Sequence, residues 1–72
     1  MNEDVVRQFG AAVDSLYEAR NRYEVMVRER LCRRIMETVC AARPRWGDVA
    51  EKRILGARVS AMNRINKNEG VR

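Results

Sequence analysis

The side chains able to do chemistry are few. Ser15 and Ser60 are the only serines, Cys32 and Cys40 the only cysteines, and there is no histidine. Nucleophilic catalysis needs a hydroxyl or thiol within reach of a base, and neither serine has one near it in sequence. The lack of His also removes the commonest metal ligand, and two cysteines alone do not make a zinc site. Glu18, Glu24, Glu29 and Glu37 alternate with arginines, and Glu24–Arg28 and Glu29–Arg33 fall four apart, the spacing of ion pairs on a helix surface. No glycine-rich phosphate loop is present. The expectation is a protein without enzymatic activity, cofactor or metal.

Recognition is the chemistry these residue types support. Arg28, Arg30, Arg33, Arg34, Arg43 and Arg45 lead up to Trp46, and Arg and Trp are enriched at binding hot spots. The charge is lopsided. Residues 1–42 carry seven Arg and seven acids, whereas residues 43–72 carry eight Lys/Arg against Asp48, Glu51 and Glu69, so the whole net charge of +5 lies in the last 30 residues. Such a segment suits an acidic surface, protein or nucleic acid. The plainer alternatives are a solvated basic face and a Trp46 that plugs the open end of a helix hairpin. The expected partner-binding residues are Arg43, Arg45, Trp46, Lys52, Arg53 and Arg64.

These residues must be carried by helices. The chain of 72 residues is 46% hydrophobic and 35% charged, with one Pro and four Gly, which fits one small α-helical domain. From Glu3 to Ala42 there is no Pro, and Val6, Phe9, Val13, Leu16, Tyr23, Val27, Leu31, Ile35 and Val39 recur at steps of three and four, with one gap at Arg20. This predicts one helix over 3–42, with Gly10 at a close crossing; Ser15 with Glu18 offers an alternative second start. Cys32, Met36 and Cys40 make a second row beside the stripe. Two cysteines eight apart in a helix are about 12 Å apart, too far for a disulfide, and fit buried thiols in a reducing compartment. A bridge between two copies is the alternative.

Pro44 and Gly47 end this helix in a turn over 43–47. Asp48 with Glu51 reads as a capping box opening a second helix over 48–65, followed by a polar tail, 66–72. Ala50, Ile54, Ala57, Ala61 and Ile65 form its apolar face. The expected fold is all-α, a long helix with a shorter antiparallel one. The shorter helix, about 27 Å long, covers only residues 24–42 of a first helix of about 60 Å. The seam Val6, Phe9, Val13, Leu16 and Tyr23 then lacks a cover within its own chain, which predicts a homodimer in a four-helix arrangement whose interface is Val6, Phe9, Val13, Leu16, Tyr23 and Val27.

Part of the second helix resembles the helix-turn-helix of phage repressors. Ala50-Glu51-Lys52, Leu55-Gly56, Val59-Ser60, Arg64-Ile65 and Gly70 echo that family, with extra residues between Ala50 and Gly56 and an extra pair, Ala57-Arg58. The resemblance implies DNA binding through Arg58, Ser60, Asn63, Arg64 and Lys67. The alternative is one continuous helix with Gly56 at a tight crossing. In size, arginine content and two-helix plan, the chain also resembles small phage or prophage proteins that disable a host regulator, of the quorum-sensing anti-activator type. That resemblance implies a dimeric inhibitor of a host transcriptional regulator, in the cytoplasm of a bacterial or phage-infected cell. The acidic start, Met1 to Asp4, predicts no signal peptide, and no apolar run nears the length of a membrane span.

Overall fold

The computed structural model describes residues 2–70 and is all-helical. Three helices follow in order, α1 (Asn2–Tyr17), α2 (Arg22–Ala42) and α3 (Gly47–Gly70), with a 3-10 turn, Pro44–Trp46, before α3. Each helix packs on both others. Short connections make consecutive helices antiparallel, so α1 and α3 run parallel.

The single long helix expected over 3–42 is therefore two. The break at 18–21 comes from local chemistry. Asn21 has extended backbone (φ −151°, ψ 171°), and its side chain accepts from Glu24 N–H at 2.8 Å. Glu24 Oε1 in turn accepts from Arg20 N–H at 2.8 Å, one residue before the cap, so the Asn21 and Glu24 side chains together close off the start of α2 in a variant of the capping box. Ser15 is not the cap; it lies inside α1.

The end of α1 is closed by the other two helices. A helix leaves its last four carbonyls without intrahelical donors. Here Asp14 O accepts from Glu18 N–H, and Leu16 O from Ala19 N–H. Ser15 O accepts from Glu18 N–H and from Arg28 Nη1 of α2 at 2.8 Å. Tyr17 O accepts from Arg64 Nη2 of α3. Two guanidinium groups thus sit at the negative end of the α1 dipole.

Chain reversal at 18–21 supplies the missing cover for the seam. Phe9, Val13 and Leu16 are buried inside one chain, together with Ala12 and Ala19. Val6 is half-buried, and Tyr23 and Val27 point outward, so the six residues do not form one interface. The demand for a second copy along α1 disappears with the long helix that created it.

On α2 the buried positions are Val25, Cys32 and Val39, seven apart, flanked by the part-buried Ile35 and Met36. The core row follows neither row expected from spacing: it takes Val39 from the first stripe, Cys32 from the second and Val25 from neither, while Val27 and Leu31 face outward. Both cysteines are free thiols, Cys32 fully buried and Cys40 half-buried. On α3, Ala50, Ile54, Ala57, Ala61 and Ile65 are all buried, as the apolar spacing predicts. Leu16 and Ile54 are completely enclosed, and burial of side chains of this size is worth about 1.5–3 kcal/mol each.

α3 is continuous from Gly47 to Gly70, so the segment 49–65 contains no helix-turn-helix and the tail is helical as far as residue 70; residues 71–72 lie outside the described part. A repressor-type motif needs two helices at a fixed angle, and the backbone runs straight through Gly56. Neither Gly10 nor Gly56 marks a tight crossing. A Cβ at Gly10 would meet nothing within 4 Å, and one at Gly56 would touch Tyr17 Oη at 3.9 Å, an ordinary contact. The small residues of α3 that face the other helices are the buried Ala50, Ala57 and Ala61. Asp48 makes no capping hydrogen bond among the described residues: α3 already begins at Gly47, whose backbone is helical, so Asp48 lies inside the first turn, and the Glu51 carboxylate is held by Arg33.

Candidate functional site

The sequence places Trp46 between two stretches of basic residues. The fold sets it at the end of the bundle where α1 and α3 begin. Pro44 starts the 3-10 turn, and Gly47 N–H bonds back to Pro44 O. This tight turn swings the indole over the start of α3, where it packs half-buried against the core. Arg43 lies over the ring, its guanidinium carbon 5.1 Å from the centroid, a cation–π contact.

Two hollows meet at Trp46. One, of about 160 Å³, is lined by Val6, Phe9, Trp46, Val49, Ala50 and Arg53. The other, shallower, is lined by Val6, Arg7, Arg43 and Trp46. The apolar floor comes from α1 and α3 and the rim is cationic. Small-molecule sites usually occupy about 300–1,000 Å³, so the first hollow is on the scale of a single side chain. Val49 at its edge is 57% exposed, a large fraction for an apolar residue beside the core.

The six expected partner-binding residues do not all converge here. Arg43, Trp46 and Arg53 line the hollows. Arg45 is exposed in the same turn, and Lys52 points about 100° around α3 from Arg53. Arg64 stands eleven residues further along α3, about 16 Å away, where it closes the end of α1. Val6, Arg7, Phe9 and Val49 were not assigned to this site from sequence. Only the parallel run of α1 and α3, set by the break at 18–21, brings them to Trp46.

Of the residues that the helix-turn-helix resemblance assigned to DNA, two are engaged within the chain. Arg58 Nη1 pairs with Glu29 Oε2 at 3.3 Å, and Arg64 binds Tyr17 O. Ser60, Asn63 and Lys67 are exposed on α3.

A separate network joins α2 to α3. Arg33 binds Glu29 Oε2 at 3.2 Å and Glu51 at 2.7 and 3.2 Å, and Arg58 also reaches Glu29. The hydrogen bond from Arg33 holds the Glu51 carboxyl below the usual carboxylate range, and the same bond pushes the Arg33 guanidinium up. Burial, then the nearby Glu29 charge, pushes the Cys32 thiol up. These groups pair with one another, and among the described residues no three His, Cys, Asp or Glu are grouped to hold a metal. No helix of the described residues is long and apolar enough to cross a membrane.

Comparison of the chain with protein-family models, with curated proteins and with solved structures gives no match.

Proposed function

We propose that this chain is a non-enzymatic docking protein that binds, and thereby modulates, another protein through the Trp46 end of the bundle. The observation that carries this reading is the hollow between Val6, Phe9, Trp46 and Val49 with Arg7, Arg43 and Arg53 around it. An apolar pocket of side-chain size with a cationic rim suits a partner segment with one bulky apolar residue among acidic ones. The apolar anchor supplies affinity, and the charged rim steers association. A transcriptional regulator with an acidic surface is a partner of this kind.

Co-purification from nuclease-treated bacterial lysate tests the reading. The parent chain is expected to retain one protein in stoichiometric amount. Val49→Asp and the pair Arg45→Glu with Arg53→Glu are expected to lose it while keeping their helical circular dichroism, since all three residues are exposed. Undiminished capture by both variants overturns the assignment. Loss of every partner on nuclease treatment, with nucleic-acid affinity falling roughly 10³–10⁵-fold between 50 and 200 mM salt, identifies a nucleic-acid binder instead.

A further inference from the structure

The outward face of α2 carries a stripe that the fold leaves uncovered. Glu24, Val27, Leu31, Arg34 and Thr38 recur at steps of three and four and so share one side of the helix. Val27 is 45% and Leu31 46% exposed, and Arg34 and Thr38 are also exposed. Val27, Leu31, Arg30, Arg34 and Glu37 border a shallow groove along this side. Among the described residues Arg30, Arg34 and Glu37 make no ion pair within the chain, and Arg30 with Arg34 is a like-charged pair four apart.

The order of this stripe is self-complementary. Reversing α2 about Glu29 sets Val27 opposite Leu31 of a second copy, and Leu31 opposite Val27. The same operation sets Arg34 opposite Glu24, and Glu24 opposite Arg34; Glu24 is half-buried and its Oε1 already holds Arg20 N–H and Arg28, which leaves Oε2 to meet the second copy's Arg34. A two-fold contact needs this property, because each residue i that meets j must also be met as j. A parallel pairing would bring Arg34 against Arg34 and Glu24 against Glu24, which is repulsive. Leu55 and Val59, also exposed on α3, lack such a pattern: the neighbours of Val59 at 55, 56, 62 and 63 are Leu, Gly, Met and Asn.

We propose that α2 is the homodimer interface, packing antiparallel on α2 of a second copy with Val27 against Leu31 and Arg34 against Glu24. A specific interface of about 1,000 Å² asks about 500 Å² of each copy, on the order of a tenth of the 5331 Å² that one chain exposes. Two helices meeting along the length from Glu24 to Thr38 at the usual separation of about 8–10 Å are suited to that area. This interface does not depend on the reading of the Trp46 hollow, which lies between α1 and α3.

Light scattering over a concentration series is the first test. The parent is expected at twice its 8.4 kDa chain mass. Leu31→Asp and Arg34→Glu are each expected to raise the dimer dissociation constant by at least roughly tenfold, with helicity unchanged. A parent that stays monomeric at every concentration overturns the proposal, as does a dimer indifferent to both changes. Should either variant lose helicity, the register decides. In a Cys40→Ser background, a copy with Val27→Cys mixed with a copy with Leu31→Cys is expected to form a disulfide-linked heterodimer in preference to either homodimer. Preferential linking of Val27→Cys to itself overturns the antiparallel pairing.

Discussion

Arg33 of α2 grips Glu51 of α3 with both terminal nitrogens, Nη1 to Oε1 at 2.7 Å and Nη2 to Oε2 at 3.2 Å. Bidentate pairing of this kind fixes direction as well as distance. It ties two antiparallel helices together beside the buried row of α2 and leaves Glu51 ionised to lower pH than a free glutamate.

A pH dependence follows. A carboxyl whose folded pKa is depressed contributes stability above its unfolded pKa, about 4.3, and loses it as pH falls through the lower folded value. The melting temperature of the parent is expected to decline through this acid range. Glu51→Gln is expected to lower it at neutral pH and to flatten the acid decline. An acid limb unchanged in the variant would assign the loss to other carboxyls.

Asn21→Ala removes the side-chain acceptor at the start of α2. Loss of such a cap costs about 0.5–2 kcal/mol. Urea denaturation is expected to show a lower midpoint with an unchanged slope, since the same surface is exposed on unfolding. Asn21→Asp, which keeps an acceptor, is expected to restore most of the difference.

Leu16 and Leu31 separate core from surface. Leu16 has no exposed surface, and Leu31 is 46% exposed. Leu16→Ala is expected to cost about 2–5 kcal/mol, the range for enclosed leucines. Leu31→Ala, measured at a concentration where the chain is monomeric, is expected to cost less than about 1 kcal/mol. Equal costs would contradict the observed direction in which α2 faces the core.

The thiols are expected to differ in accessibility. Cys32 is fully enclosed, and its pKa is raised chiefly by burial. It is expected to resist a disulfide reagent in the native state and to react on unfolding, while the half-buried Cys40 reacts first. The raised folded pKa adds a second effect. Stability that is complete below the unfolded thiol value is lost as pH rises through the folded one. Cys32→Ala is expected to remove that alkaline decline, read from melting temperatures between pH 8 and 10.

Much was written locally. Helical steps of three and four, a single proline and the absence of alternation set the all-α class. The buried alanines of α3 and the pairs Glu24–Arg28 and Glu29–Arg33, observed at 3.4 and 3.2 Å, follow from spacing alone. The four residues Asn21-Arg22-Tyr23-Glu24 also encode the break between α1 and α2. That signal is overridden when apolar phase is followed across it, because Leu16 and Tyr23 are spaced as if they shared one helix.

Tertiary structure decided which way each face turned. A chain reversal at 18–21 frees α2 to rotate independently of α1, so the row Val25, Cys32 and Val39 turns inward and Val27 and Leu31 turn out. The same reversal lays α1 parallel to α3, which brings Val6 and Phe9 to Trp46 and takes Arg64 away to the carbonyl end of α1. Periodicity records that a helix has an apolar side. Which of two adjacent apolar rows is buried depends on partners distant in sequence, whose shape and charge no local spacing contains.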